Sequence, residues 1–339
     1  MDKLWWIASG TLITSFVIQI IVIYLSHKHD FFIDSHTDEK PQNFHTFSTP
    51  RAGGIGIVVA MLSLLLTPLG WKLFLSVLLA FASGIVEDFH LSVKPKTRLL
   101  LQFVAATGAV LLTHSVVTYL GFGIYLPYWL GVVFSIFAII GMMNAVNIID
   151  GFNGLASGII LLILLSFGLV SDKVGDTQIL AIIVVTASAV FGFFLLNFPK
   201  GKIFLGDGGA YLLGFMAALT GIFLAGNYEK VSPWFILAVL IYPAWEVLFS
   251  VYRKMKAGRS PLEPDPYHMH MLIYRHVTHN NPLTAVVILA GVGPFILLPA
   301  LYANNSGANF ATSLIFIIFY TLLYRYLYRK ETARNQEER

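Results

Sequence analysis

Long apolar runs separated by short polar stretches dominate the chain. They fall near 4–25, 53–69, 71–86, 98–119, 128–146, 152–170, 178–197, 208–226, 232–251, 282–302 and 309–327. A helix needs roughly 20 apolar residues to cross a bilayer. The pattern therefore predicts eleven transmembrane helices. Only Pro68, Gly70 and Lys72 divide the 53–86 region. The fold class is an all-α polytopic integral membrane protein. The first run lacks the short core and Ala-x-Ala site of a cleaved signal, so it is read as a retained helix. No linker sets off a soluble domain, and residues 1–339 are read as a single transmembrane domain.

Composition supports the pattern. Hydrophobic residues make up 57% of the chain and charged residues 12%, against about 25% charged in soluble domains. Cysteine is absent, which excludes disulfides, thiolate metal sites and cysteine nucleophiles. The net charge of +4 matters less than its placement. An odd helix count puts the termini on opposite faces. Of the 22 Lys and Arg, 18 lie in the connections after odd-numbered helices and in the C-terminal tail. The other side holds only Lys3, Lys72, Lys173 and Lys230. The positive-inside rule makes the first set cytoplasmic, with the N-terminus outside and the C-terminus in the cytoplasm.

The unusual polar residues all fall on that face, in the connections 26–52, 87–97, 147–152, 198–207 and 252–281. Glu87-Asp88 closes the third helix. Paired carboxylates repel one another and sit badly at a helix C-terminus; a shared divalent cation with hard oxygen ligands relieves both problems. Lys94, Lys96 and Arg98 follow, either as orienting charge or as a phosphate site. In "FLGDGGAYLLG", Asp207 stands at the mouth of the eighth helix, where a helix N-terminus favours anions. An N-capping aspartate accounts for it too, and a capping Asp can also hold a metal. Pro50, Arg51, Gly53 and Gly54 form either an anion-contacting turn or a simple boundary. His268 and His270 sit two apart among basic neighbours, which favours phosphate over zinc. Glu246 lies inside an apolar run, where an ionisable group is a functional candidate unless it snorkels to water. "NAVNIIDGFNGLA" places Asn144, Asn147 and Asp150 on one helix face, with Asn153 just beyond. Helix–helix amide bonding explains the asparagines but not the added acid.

Taken together, these stretches resemble the polyprenyl-phosphate N-acetylhexosamine-1-phosphate transferase family, also called glycosyltransferase family 4. The likeness is nearest to its WecA and TagO branch and more distant to MraY. It spans about Asp34 to Arg275 and rests on five motifs in the family's order: Gln42 to Gly54, Glu87-Asp88 with Lys96 and Arg98 to Gln102, Asn144 to Ala156, Phe204 to Gly209, and His268 to Met271. Three positions depart from the family pattern. Glu87 replaces an Asp, Asn153 stands where many members carry an Asp, and Met271 replaces a His.

The resemblance implies a reaction. Undecaprenyl phosphate attacks a UDP-N-acetylhexosamine, UMP leaves, and a lipid-diphospho-sugar forms at the cytoplasmic face of a bacterial inner membrane. N-acetylglucosamine is the default sugar, and the product would initiate a cell-surface polysaccharide. The implied cofactor is Mg²⁺, with Mn²⁺ as an alternative. Glu87, Asp88, Asp150 and Asp207 are the implied catalytic residues. Asp207 is the metal ligand, with Asp88 as a second candidate. Lys40, His45, Arg51, Lys96, Asn144, Asn147, Asn153, His268 and His270 would bind substrate. The partners are the UDP-sugar, the polyprenyl phosphate and membrane lipid, with no nucleic acid; a homodimer is left open. Rival classes are a secondary transporter of an anionic solute, a different membrane transferase, and an inactive scaffold homologue.

Overall fold

A computed structural model describes residues 2–29, 32, 49–89, 94–260, 263 and 265–337. All eleven apolar runs fall on helices. The long helices are α1 (Asp2–His29), α3 (Gly70–Asp88), α4 (Pro95–Thr113), α5 (Tyr128–Ile149), α6 (Leu155–Val174), α7 (Thr177–Asn197), α8 (Gly206–Asn227), α12 (Asn281–Leu297) and α13 (Ser306–Glu337). The shorter ones are α2 (Gly53–Ala60), α9 (Pro233–Val239), α10 (Ile241–Lys256) and α11 (Met269–Ile273). Among the described residues, 8 helices are long and apolar enough to cross a membrane, or 9 if α9 and α10 form one span bent by 76°. The segment Gly53–Leu66 is shorter and apolar. α4 stops at Thr113, short of the expected 119. His114 takes a left-handed conformation there, and the chain turns through Gly121 and Gly123 before α5.

The helix α8 is central, with 89% of its apolar window buried, against 22% for α1 and for α13. It packs on α2, α3, α5 and α6; α1 lies outside on α2 and α7. The outer helices turn large side chains outward, such as Ile13 and Val17 on α1 and Ile315, Ile318 and Leu322 on α13. Such faces are stable only against lipid. Trp5, Trp6, Trp71, Tyr128 and Trp129 are exposed near the N-terminal ends of α1, α3 and α5, as in an interfacial aromatic belt.

Helix ends alternate between two layers. In one layer, Asp88 at the end of α3 meets the start of α8, and Asn147 at the end of α5 meets it too. In the other, Asn227 at the end of α8 bonds Ser115 just past α4, and Tyr228 bonds Asp176 before α7. The polar clusters singled out in the sequence that fall within the described residues gather in the first layer.

Candidate active site

The geometry starts from a close approach of α3 to the mouth of α8. Gly84 makes it feasible, since a Cβ there would lie 2.4 Å from the Asp207 carbonyl carbon. Asp88 then reaches across. Its Oδ1 accepts the Asp207 N–H at 2.8 Å and its Oδ2 accepts the Gly208 N–H at 3.0 Å. Asp88 therefore caps a helix that is not its own. Two backbone donors left without partners at a helix start are satisfied by a buried carboxylate, which the helix dipole also favours. Gly206 enters this turn at φ +75°, and a Cβ on it would sit 2.7 Å from Asp88 Oδ2.

This corrects the capping alternative for Asp207. The residue before α8 is Leu205, which makes no side-chain cap, and Asp207 lies in the first turn with its carboxylate turned elsewhere. Its Oδ1 accepts the Asn147 amide at 3.0 Å, and its Oδ2 lies 3.5 Å from Arg98. Arg98 also pairs with Glu87 and stands over the Tyr211 ring. Glu87 thus holds Arg98 at the rim. Arg98, read from the sequence with Lys94 and Lys96 as orienting charge or a phosphate site, stands between Glu87 and Asp207. Nothing in the sequence marked Tyr211 as a member of the site.

The Pro50–Gly54 turn joins the same mouth. Phe204 N–H donates to Pro50, while Gly53 and Gly54 N–H donate to Phe204 and Leu205 at 2.8 and 2.9 Å. This short parallel pairing brings Arg51 to the site, where its charge acts on both Asp88 and Asp150. Asp150 follows the last turn of α5. Burial pushes its carboxyl up to about 7; Arg51 opposes that shift and Asp207 adds to it. Asp150 and Asp207 are thus near enough to repel. Mg²⁺ takes one or two carboxylates, completing its shell with waters and phosphate oxygens. Asp207 and Asp150 match that donor set. No group of three or more His, Asp or Glu able to hold a metal occurs among the described residues.

The polar stripe of α5 divides between partners. Asn144 bonds Gln102 of α4 at 3.0 Å and the Ile140 carbonyl at 2.8 Å. Only Asn147 touches Asp207. The Asn153 amide donates to the Pro199 carbonyl at 3.0 Å, and its own N–H is held by Asn281 at 2.9 Å. Asn197 fixes the neighbouring backbone, accepting from Gly154 and donating to Ile203. Asn153 therefore shapes the 198–205 connection.

The second histidine reaches the site through α11. His268 precedes the helix in extended backbone and His270 lies within it, yet their rings stack 5.4 Å apart. His270 abuts Gly151 and meets Phe152 edge-on at 5.7 Å. Burial, with the neighbouring His268, pushes His270 down to about 3, so its ring is neutral. Its Nδ1 is buried with no protein partner among the described residues. Met271 is packed in the core at 3% exposure. Glu246 is buried at 1%, which overturns the snorkelling alternative. Lys96 is exposed on the first turn of α4. Lys40 and His45 lie outside the described residues.

Comparison with known proteins identifies the family. The family model for glycosyl transferase family 4 matches residues 71–225. A decaprenyl-phosphate N-acetylglucosaminephosphotransferase of Mycolicibacterium smegmatis is 30% identical over 295 residues, covering 75% of this chain and 72% of that protein. The chain belongs to glycosyl transferase family 4. Among other relatives in the family, an undecaprenyl-phosphate α-N-acetylglucosaminyl 1-phosphate transferase of Thermotoga maritima is 27% identical, over 78% of this chain and 80% of that protein. A phospho-N-acetylmuramoyl-pentapeptide-transferase of Streptococcus pneumoniae is 28% identical, over 69% and 77%. The family match includes Asp88, Asn147, Asp150 and Asp207, all drawn to one end of the bundle.

Proposed function

We propose that the protein transfers an N-acetylhexosamine 1-phosphate from a UDP-sugar to a polyprenyl phosphate, at the cytoplasmic face of a bacterial inner membrane. The default donor is UDP-N-acetylglucosamine. The observation that carries this reading is the junction of α3, α5 and α8, where Asp88 holds the α8 amides and leaves Asp207 to Asn147 and Arg98. The names of the relatives support the reaction class. The Lys and Arg bias supports the side of the membrane.

In the reaction, an oxygen of the lipid phosphate attacks the β-phosphorus of the UDP-sugar. The bond from that phosphorus to the oxygen bridging it to the α-phosphate breaks. UMP leaves with the bridging oxygen, and the new bond makes a lipid diphosphate carrying the sugar. The lipid phosphate is largely ionised at neutral pH, so no strong base is required. Catalysis is positioning and charge neutralisation. Asp207, with Asp150 beside it, would hold Mg²⁺ or Mn²⁺, which when bound neutralises diphosphate charge. Asp88 acts first as the clamp that sets Asp207, because both its oxygens already hold backbone donors. Arg51, Arg98, Lys96, His268 and His270 supply positive charge or donors for phosphate, Glu87 steadies Arg98, and Asn147 orients Asp207. By the family resemblance, Lys40 and His45 would add to substrate binding.

A transporter would place its site near the bilayer midplane; here the described polar clusters sit at helix ends. The test is UMP release by purified protein given undecaprenyl phosphate, Mg²⁺ and a panel of UDP-sugars. Release with one or more sugars is expected. No release from any of them overturns the transferase reading.

A further inference from the structure

Glu246 is the buried acid that the reaction above leaves without a task. It lies on α10, just past the 76° bend from α9. Its Oε1 faces His268 Nδ1 at 2.9 Å and accepts the Met269 N–H at 3.1 Å, and its Oε2 accepts the Tyr320 hydroxyl at 2.8 Å. The amide of Met269 can only donate, and a carboxylate with three donors around it is satisfied in its ionised, acceptor-only form. A buried negative charge needs a cation or several donors to persist. The second acid in the neighbourhood, Asp265, is already engaged. Arg253 pairs with it, and Ser250 and the Tyr267 N–H donate to it. Although burial alone would raise Asp265, Arg253 and these donors hold it below the usual carboxylate range. His270 is neutral beside them. His268 is therefore the group left to balance Glu246.

We infer that Glu246 is a positioning residue for the transfer: its buried carboxylate accepts from His268 Nδ1–H and favours the doubly protonated ring, whose Nε2–H is left to donate to a phosphate oxygen of the bound substrates. The inference rests on the transferase reading. The geometry extends beyond one contact. Tyr320 anchors the carboxylate from α13, the Met269 amide ties it to the first residue of α11, and the His268 ring stacks on His270, which borders Gly151. One carboxylate thus couples the C-terminal helix to both histidines and to the "DGFNG" loop. Only the imidazolium donates from both nitrogens, so a carboxylate at Nδ1 favours the form whose Nε2–H can meet an anionic oxygen.

Two measurements test this. Imidazole nitrogen NMR of ¹⁵N-histidine protein in nanodiscs, with His268 assigned through His268→Gln, reports which ring nitrogens carry hydrogen. The parent should show both nitrogens protonated at neutral pH, and Glu246→Gln, which removes the balancing charge, should show a neutral ring. The same pair of nitrogen signals in both proteins overturns the inference. UMP release supplies the second. Glu246→Gln should lower kcat/KM by about 10–100-fold, as loss of an orienting partner does elsewhere, and Tyr320→Phe by roughly fivefold. In a His268→Gln background, Glu246→Gln should cost nothing more, because residues acting as a unit are not additive. An equal further loss in that background marks a role in folding alone and overturns the inference. If the parent releases no UMP, the transferase reading fails, while NMR still decides whether Glu246 sets His268.

Discussion

Two aspartates cap helices at opposite ends of this bundle, and they do so differently. Asp176 precedes α7 and caps its own helix, accepting the Gln178 and Ile179 N–H groups at 2.9 and 3.0 Å. Tyr228 closes its other oxygen. Asp88 lies at the end of α3 and caps α8, 119 residues further along the chain. The local cap completes one helix. The distant cap does that and something more: it takes over the task that Asp207 would otherwise perform, so Asp207 faces Asn147 and Arg98. A carboxylate at a helix mouth stays available to a ligand when another side chain meets the amides behind it.

The largest effect that would sharpen this contrast belongs to Asp207→Asn. UMP release should fall by about 10²–10³-fold, the scale of losing one preorganised charge-stabilising group. Thermal stability in detergent should shift little, because Asp207 caps nothing. A large stability loss would return Asp207 to a capping role. Next comes Asp88→Ala, which orphans two buried amides. It should cost about 1–3 kcal/mol of stability and reduce activity as well, measured by thermal melts and UMP release on one preparation. Gly206→Ala should act in the same direction through the same atoms, costing about 1–2 kcal/mol for a side chain in the left-handed region, with activity lost through the displaced Asp88. Asp176→Ala should cost roughly 1 kcal/mol and leave UMP release unchanged. If Asp88→Ala and Asp176→Ala lose stability alike and neither loses activity, the distinction between the two caps is wrong.

The smallest effect concerns pH. Burial raises Asp150 from its ordinary 3.8 to about 7. The folded protein therefore holds that proton more tightly than the unfolded chain. The associated stability is complete below about pH 4 and is lost as pH rises toward 7. In metal-free buffer, the parent's melting temperature should fall more across that window than that of Asp150→Asn. Parallel pH profiles would show that Asp150 is solvated after all.

Much of the fold was legible because lipid imposes a length and a composition on each span. All eleven runs fall on helices, and one run was drawn too long, at 113–119, where an apolar stretch leaves the helix at His114. The site was partly legible. Asp150 and Asp207 were recognisable as acids beside glycines in a membrane chain. The polar stripe of α5 was recognisable as a stripe, yet spacing alone placed Asn144, Asn147 and Asp150 on one face without naming what each meets. Their partners are Gln102, Asp207 and the charges around Arg51, because successive turns of one helix meet different neighbours. Asn153 drew attention as a departure from a family acid, and its contacts are with backbone at Pro199 and with Asn281. Arg98 carried charge enough to be noticed, but its position between Glu87 and Asp207 depends on how α4 starts beside α8.

The sequence by itself determined that the chain is a bundle of membrane helices, which connections carry the positive charge, and which residue types are present for phosphate chemistry. Those properties follow from local composition and from the free energy of placing each segment in lipid. Only the tertiary structure decided that Asp88 caps α8, that Asp207 is thereby released toward Asn147, and that Glu246 meets His268 and Tyr320. Each of these depends on the distance between atoms far apart in the chain. That distance is set by helix packing at positions such as Gly84, where a side chain would have held the two helices apart.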